Sequence, residues 1–261
     1  MEQLKRERLT LSVITVCYNA APLLERTLKS VQEQNYPHIE YIIIDGASKD
    51  NTLELVRDSG TAVSVFVSEK DAGIYDAMNK GLKRASGHYV LFMNAGDTFY
   101  DSNTVSKVMQ KAIDRSREGD LPDSLPAVLY GHTEIVDYDG RSLGPRKLSP
   151  PKTLTWKSFK NGMLVCHQSF YARRDLAPFY DNARYRLSAD FDWCLRILCR
   201  AEKEGATCVQ VGGFLTKYLH EGATTKHHKA SLKERFSIMK HYYGLLPTLL
   251  RHLYFLFRSK R

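Results

Sequence analysis

An α/β fold built on a parallel sheet, with helices on both faces, is what this sequence predicts, and three observations predict it. Short β-branched apolar runs alternate with amphipathic helical stretches as β-α-β-α-β-α-β within about the first 95 residues. The runs are nearly continuous in apolar character, as in strands buried on both faces. An oxygen-bearing side chain also stands at or just beyond the end of each run: Asn19, Asp45, Asp71 and Asp97. In a parallel sheet those ends share one edge, where open α/β sheets bind ligands.

Leu9 to Val16 (LTLSVITV) is the first strand, followed by Cys17-Tyr18-Asn19. The next helix carries Pro22 in its first turn and an apolar stripe at Leu24, Leu28 and Val31. Pro37 interrupts the chain before a second strand, Tyr41 to Ile44, which ends on Asp45-Gly46. Ser48 or Asp50 caps a helix through Leu53 and Val56, and Ala62 to Val67 is the third strand. Between Ser68 and Asp97 the pattern is an acidic loop, a helix, a buried strand and a turn. The helix places Ile74, Ala77, Met78, Leu82 and Ala85 at helical spacing, and Gly87 stops it. Tyr89 to Met93 is the strand, and Asn94-Ala95-Gly96-Asp97 is the turn. Asn94 and Asp97 offer hard oxygens of the kind Mg²⁺ or Mn²⁺ takes, although the same residues also make an ordinary polar turn. Beyond it lie a helix through Val105, Val108 and Met109, a polar loop from Ser116 to Pro126, and strands at Val128 to Val136 and about Met163 to Tyr171. A helix from Asp190 to Glu204 and a strand from Thr207 to Leu219 complete the globular part.

Composition narrows the function classes. The formal charge is +9, but residues 217–261 hold 10 Lys+Arg against 2 Asp+Glu. The other 216 residues hold 28 against 27, a net of +1. The basic character belongs to the tail, which argues against nucleic acid as a partner of the whole protein. Five scattered cysteines without a CxxC pair point to a reducing compartment and away from a disulfide framework or zinc cluster. The first residues, MEQLKRERLT, contain no apolar segment of the secretory type. No GxGxxG follows the first strand, GxxxxGK[ST] is absent, and GxSxG occurs only at Gly140–Gly144, in a loop rich in Gly, Pro and basic residues and not at a strand-to-helix elbow. The first two observations exclude the dinucleotide fingerprint and the P-loop, and the third counts against a serine-hydrolase elbow.

The motifs TVCYN (Thr15–Asn19), IIIDGASKDNT (Ile42–Thr52), SEKDAGIYDAMNKG (Ser68–Gly81) and FMNAGD (Phe92–Asp97) resemble, in order, those of family-2 inverting glycosyltransferases. The likeness is strongest to the branch of bacterial exopolysaccharide clusters, including colanic-acid-type enzymes. HQSFY (His167–Tyr171), SADFDWCLRI (Ser188–Ile197) and EGATT (Glu221–Thr225) continue it. The resemblance implies a GT-A fold over residues 1–225, with a donor-nucleotide half at about 9–115 and a mixed-sheet acceptor half at about 127–225. It implies a UDP-, GDP- or dTDP-linked sugar donor, a glycan or lipid-linked glycan acceptor, and Mg²⁺ or Mn²⁺ as cofactor.

Roles follow residue by residue. Asp45 resembles the carboxylate that meets the donor's base, with Thr15, Tyr18 and Asn19 at the same pocket. Asp71 and Gly73-Ile74-Tyr75 resemble the segment against the nucleotide and donor sugar. Asn94 and Asp97 stand where the family has its Asp-x-Asp metal motif, with Asp97 as the metal ligand and Asn94 a departure. Asp190 matches the catalytic base, with Ala189 replacing its acidic neighbour and Asp192 as a rival two positions on. The plainer reading makes Asp190 an N-cap and Asp192 a first-turn acid favoured by the helix dipole. Lys80 and Arg84 are expected to be solvated helix charges. His167-Gln168 are expected to line the acceptor side, and His220 to lie at the surface. A sugar-phosphate nucleotidyltransferase and an inactive nucleotide-sugar binder are the alternatives.

The tail, residues 226–261, reads as two amphipathic helices split near Gly244 and Pro247. Leu232, Phe236, Met239 and Tyr243 form one stripe; Leu246, Leu249, Leu250, Leu253 and Phe257 form the other. Apolar stripes flanked by cations suit an anionic membrane surface, which would place the protein peripherally at the inner face of the cell membrane. The alternative packs these helices on the core or in a homo-oligomer contact.

Overall fold

The structure, a computed structural model, describes residues 9–116, 124–220 and 228–258. The first four strands are β1 (Leu11–Cys17), β2 (Ile39–Asp45), β3 (Val65–Ser68) and β4 (Tyr89–Phe92). Then come β5 (Thr98–Phe99), β6 (Val128–Val136), β7 (Ser142–Pro145), β8 (Phe170–Arg173) and β9 (Cys208–Leu219). The helices are α1 (Ala21–Gln32), α2 (Thr52–Asp58), α3 (Ile74–Arg84), α4 (Thr104–Arg115), α5 (Ala189–Lys203), α6 (His228–Tyr243) and α7 (Leu245–Arg258).

Among the described residues these strands form one sheet in the order β3-β2-β1-β4-β8-β6-β9-β5, with β7 added to β6. β1 to β4 pair in parallel, as their apolar runs and helical crossovers require. The sheet then turns mixed: β8 runs antiparallel to β4, β6 antiparallel to β8, and β9 parallel to β6. The two halves expected from the sequence therefore share one continuous sheet. Alternate residues of β1 feed the two faces. Ile14 and Val16 join the core made with α3 and α5, whereas Leu11, Val13 and Cys17 join that made with α1 and α4.

The sequence misplaced one element. The strand expected from Met163 to Tyr171 is instead a 3-10 turn at His167–Ser169 followed by β8. Phe170 and Tyr171 of that run do pair with β6, whereas Met163 and Val165 are buried by the fold around them without strand pairing. The short β5 and β7 had no apolar run of their own and were not anticipated.

α3 lies so close to β1 that a Cβ at Gly81 would stand 2.4 Å from Cγ2 of the fully buried Ile14. Gly is normally costly inside a helix, so its presence here reflects packing. Gly81→Val should lower stability by about 1–3 kcal/mol through overpacking, read as a fall in Tm of several degrees by circular dichroism. An unchanged Tm would show that the helix rides higher on the sheet.

Candidate active site

Four of the residues singled out from the sequence meet at the carboxyl edge of β1, β2 and β3, where they take different parts. Tyr18 is exposed just past β1, and Asp71 is half-buried just past β3. Gly46 lies between them: a Cβ there would fall 2.5 Å from Asp71 Oδ2 and 3.3 Å from the Tyr18 ring. The three stand together at the sheet-edge crevice, packed so closely that a side chain at position 46 would displace Asp71. Asp71 Oδ1 accepts from Gly73 N at 2.9 Å, which fixes the turn into α3.

Asp45 lies behind that crevice and is fully buried. Its Oδ2 accepts from Ser48 N at 2.9 Å and Ser68 Oγ at 2.6 Å, and its Oδ1 accepts from the Ser48 hydroxyl. The carboxylate thus ties β2 to β3 and to the following loop. Asn19 clamps the same loop from the other side. Its left-handed backbone, φ 47°, is one Asn tolerates. Its N–H donates to Ser48 Oγ and its Oδ1 accepts from Lys49 N, each at 2.8 Å. Thr15 departs from the expectation: it is fully buried, donates to Met93 O at 2.8 Å and sits 3.1 Å from the Tyr41 hydroxyl. It fastens β1 to the end of β4 and does not face the crevice.

The Asn94–Asp97 turn also departs from it. Asp97 points inward, 4% exposed. Its Oδ1 accepts from Leu219 N and its Oδ2 from Gln168 Nε2, both at 2.9 Å. Burial pushes its pKa up to about 7, against those two hydrogen bonds and the charge of Arg26. Asn94 Oδ1 is buried and finds no donor among the described residues. A single free amide oxygen is a poor set for Mg²⁺ or Mn²⁺, which take several hard oxygens. Among the described residues no three His, Cys, Asp or Glu side chains gather as a cation would require. The arrangement does not fit a metal held by Asp97. Its carboxylate is a strut between β9 and the 167–169 turn.

The two rival acids of α5 separate clearly. Asp192 is buried, paired with Arg196 at 2.8 Å, and accepts from the Tyr242 hydroxyl at 3.2 Å. Asp190 is half-buried, and its Oδ1 accepts from the Tyr75 hydroxyl at 3.0 Å. Tyr75 belongs to the first turn of α3, four positions after Asp71, so one short segment connects the crevice with Asp190. Burial, with the charge of Asp190, raises the Tyr75 pKa well above its ordinary value, so the phenol remains a donor. Asp190 is not the N-cap of α5. That position is Ser188, and the N–H groups of Arg186, Leu187 and Ser188 donate to Glu234 of α6 at 2.8–3.0 Å.

Other expectations resolve in the same way. His167 is buried against Phe92 and Trp193, its Nε2 lies 2.7 Å from the Tyr180 hydroxyl, and burial lowers its pKa to about 4. It is a neutral core histidine and not part of an acceptor wall. Lys80 pairs with Glu69 at 3.1 Å and Asp76 at 3.6 Å. Arg84 donates to Lys80 O at 2.9 Å. His220 is exposed. The EGATT motif (Glu221–Thr225) lies outside the described residues. Glu234 and Gln168 gave no local signal of their roles, since their partners lie 46 or more residues away.

The model of Glycosyl transferase family 2 matches residues 12–177. The chain is 32% identical over 204 residues to an uncharacterized glycosyltransferase of Mycobacterium tuberculosis, covering 77% of this chain and 73% of that one. In fold it is similar to TarS 1-349 of S. aureus in complex with UDP-GlcNAc, at a TM-score of 0.66 and 19% identity, over 94% of this chain and 73% of that one. It is also similar to the mannosyltransferase PcManGT of Pyrobaculum calidifontis in complex with GDP-Man and Mn²⁺, at a TM-score of 0.55 and 19% identity, over 92% and 73%. The mixed sheet described above is GT-A-like.

Proposed function

The chain belongs to glycosyl transferase family 2, and on that premise we propose that it is an inverting transferase of surface-polysaccharide assembly. It moves a sugar from a UDP-, GDP- or dTDP-linked donor to a hydroxyl of a lipid-linked glycan. The observation that carries this reading is Asp190, the acid of α5 whose carboxylate is left available, held by Tyr75 beside the segment that borders the crevice. In it, the nucleotide lies against Tyr18, Gly46 and Asp71, and the donor sugar extends toward the first turn of α3. Asp190 takes the proton of the attacking hydroxyl as the new glycosidic bond forms and the nucleoside diphosphate leaves from the opposite face. The Tyr75 hydroxyl orients that carboxylate. Asp45, Asn19 and Ser48 keep the crevice in shape before the donor arrives, which reduces the cost of ordering it.

The C-terminal helices support work at a membrane surface. α7 leaves Leu246, Leu249, Leu250 and Leu253 exposed as a stripe, an apolar face of the kind that lies in the headgroup boundary. No described helix is long and apolar enough to cross a membrane. α6, by contrast, buries Ile238 and Met239 against the core and is fastened through Glu234.

Binding of UDP-, GDP- and dTDP-sugars tests the reading by thermal shift, since a ligand of the native state raises Tm with its concentration. One nucleotide class is expected to raise Tm in the wild type and to lose that effect in Gly46→Leu, which displaces Asp71 at the crevice. If no nucleotide sugar shifts Tm, with Mn²⁺ or with chelator, the transferase reading fails.

A further inference from the structure

We propose that the cavity between residues 147–163 and the C-terminal helices is the binding site for the lipid phosphate of the acceptor, with Arg235 as its phosphate ligand. The inference rests on the transferase reading above and names the part of the acceptor that the protein grips. The cavity is about 390 Å³, within the roughly 300–1,000 Å³ of small-molecule sites. Met163, Phe191, Met239 and Phe255 supply apolar walls, and Lys147, Arg235 and His252 supply basic groups. Among the described residues no carboxylate lines it.

Arg235 is the residue that points to a ligand. Among the described residues its Nε is buried without a hydrogen-bond partner, a costly state for a cationic donor. Its guanidinium lies 6.0 Å from the centroid of the Phe191 ring, and Phe191 adjoins Asp190 in the chain. Its charge also opposes the rise that burial and Asp190 impose on the Tyr75 phenol, so the cavity is within electrostatic reach of the Tyr75–Asp190 pair. An anion here would meet a planar donor suited to phosphate oxygens, and a hydrocarbon chain would lie along the apolar walls.

The position of α7 gives the ligand a source. One side of this helix, with His252 and Phe255, closes the cavity, while Leu249, Leu250 and Leu253 stand exposed. A helix lying in the membrane surface on that stripe would open the cavity toward the lipid layer, so an acceptor lipid could enter without crossing water. Charge complementarity and this continuity favour a lipid phosphate over a soluble anion, which would leave the apolar walls uncovered.

The test uses the full chain and farnesyl phosphate as the probe, with farnesol and inorganic phosphate as comparison arms, read by thermal shift and tryptophan fluorescence. Farnesyl phosphate is expected to bind and each comparison compound to bind far more weakly. Arg235→Gln should weaken farnesyl phosphate by about tenfold or more, the loss of one charge-assisted contact. Met239→Trp, which fills the cavity, should abolish it. Neither substitution should change the nucleotide-sugar shift, which also reports that each variant is folded. Leu249→Glu together with Leu253→Glu should remove adsorption to anionic vesicles and leave farnesyl phosphate binding in place. The inference is overturned if farnesyl phosphate fails to bind while nucleotide sugars do. It is equally overturned if inorganic phosphate binds as well as farnesyl phosphate, or if both cavity variants bind like the wild type. Failure of nucleotide sugars to bind would instead remove the transferase reading beneath it.

Discussion

Asp190→Asn is expected to lower the rate of sugar transfer by about 10²- to 10⁴-fold, the usual range for a positioned general base, with Tm nearly unchanged. The amide oxygen of Asn still accepts from Tyr75, so the hydrogen bond at 3.0 Å survives while the basic group is lost. Asp192→Asn is expected to do the reverse. That side chain is buried between Arg196 and Tyr242, and weakening a buried pair leaves Arg196 under-compensated. Its cost should appear in Tm, with transfer per folded molecule largely retained. Tyr75→Phe should fall between the two, lowering kcat about tenfold without altering the KM for the donor, because the phenol orients the base and does not bind the nucleotide. Transfer assays with the nucleotide sugar identified by thermal shift, alongside circular dichroism melts, separate these outcomes. Full activity in Asp190→Asn, or the large kcat loss appearing in Asp192→Asn, would reassign the base.

Much of this fold was legible because its parallel half follows local rules. Strands buried on both faces must be apolar runs, and the helices between them must carry apolar stripes, so β1 to β4 and α1 to α3 could be read in order. The sheet edge was legible too, because Asn19, Asp45 and Asp71 follow successive strand ends. What the pattern could not show was the direction each side chain takes. Asp45 and Asp71 both end strands, yet one is buried under Ser48 and Ser68 while the other borders the crevice. Asp97 turns inward because Gly96 adopts φ 100° and because Leu219, 122 residues later, offers its N–H. The different surroundings of Asp190 and Asp192 were half legible. Arg196 lies four residues beyond Asp192 on the same helix, but Tyr242 reaches it from α6. The tail could be read as amphipathic, whereas Glu234's grip on residues 186–188 depends on tertiary docking alone.

The second large effect concerns Asp97 and decides whether it is a strut or a metal ligand. Asp97→Ala leaves the buried N–H of Leu219 and the amide of Gln168 without an acceptor. At about 1–3 kcal/mol for each unsatisfied donor, the loss is about 2–6 kcal/mol, or roughly 4–24 °C in Tm for a chain of this size. Asp97→Asn keeps one acceptor and should lose less, and it isolates a pH dependence. Burial raises the folded pKa from 3.8 to about 7, so between those values the folded state holds a proton that the unfolded state releases. The stability this provides is fully present below about pH 4 and is lost as pH rises through about 7. The Tm of the wild type relative to Asp97→Asn should therefore fall steadily from about pH 4 to about pH 7 and level off above. Carboxylates held down by hydrogen bonds, such as Glu40 with Ser12 and Ser86, act in the opposite sense and cancel in the comparison because both proteins contain them. A bound divalent cation would keep Asp97 ionised and flatten the curve, and Mn²⁺ would then raise Tm in the wild type far more than in the Asn variant. A sloping difference that Mn²⁺ leaves untouched means that this carboxylate holds β9 against the 167–169 turn.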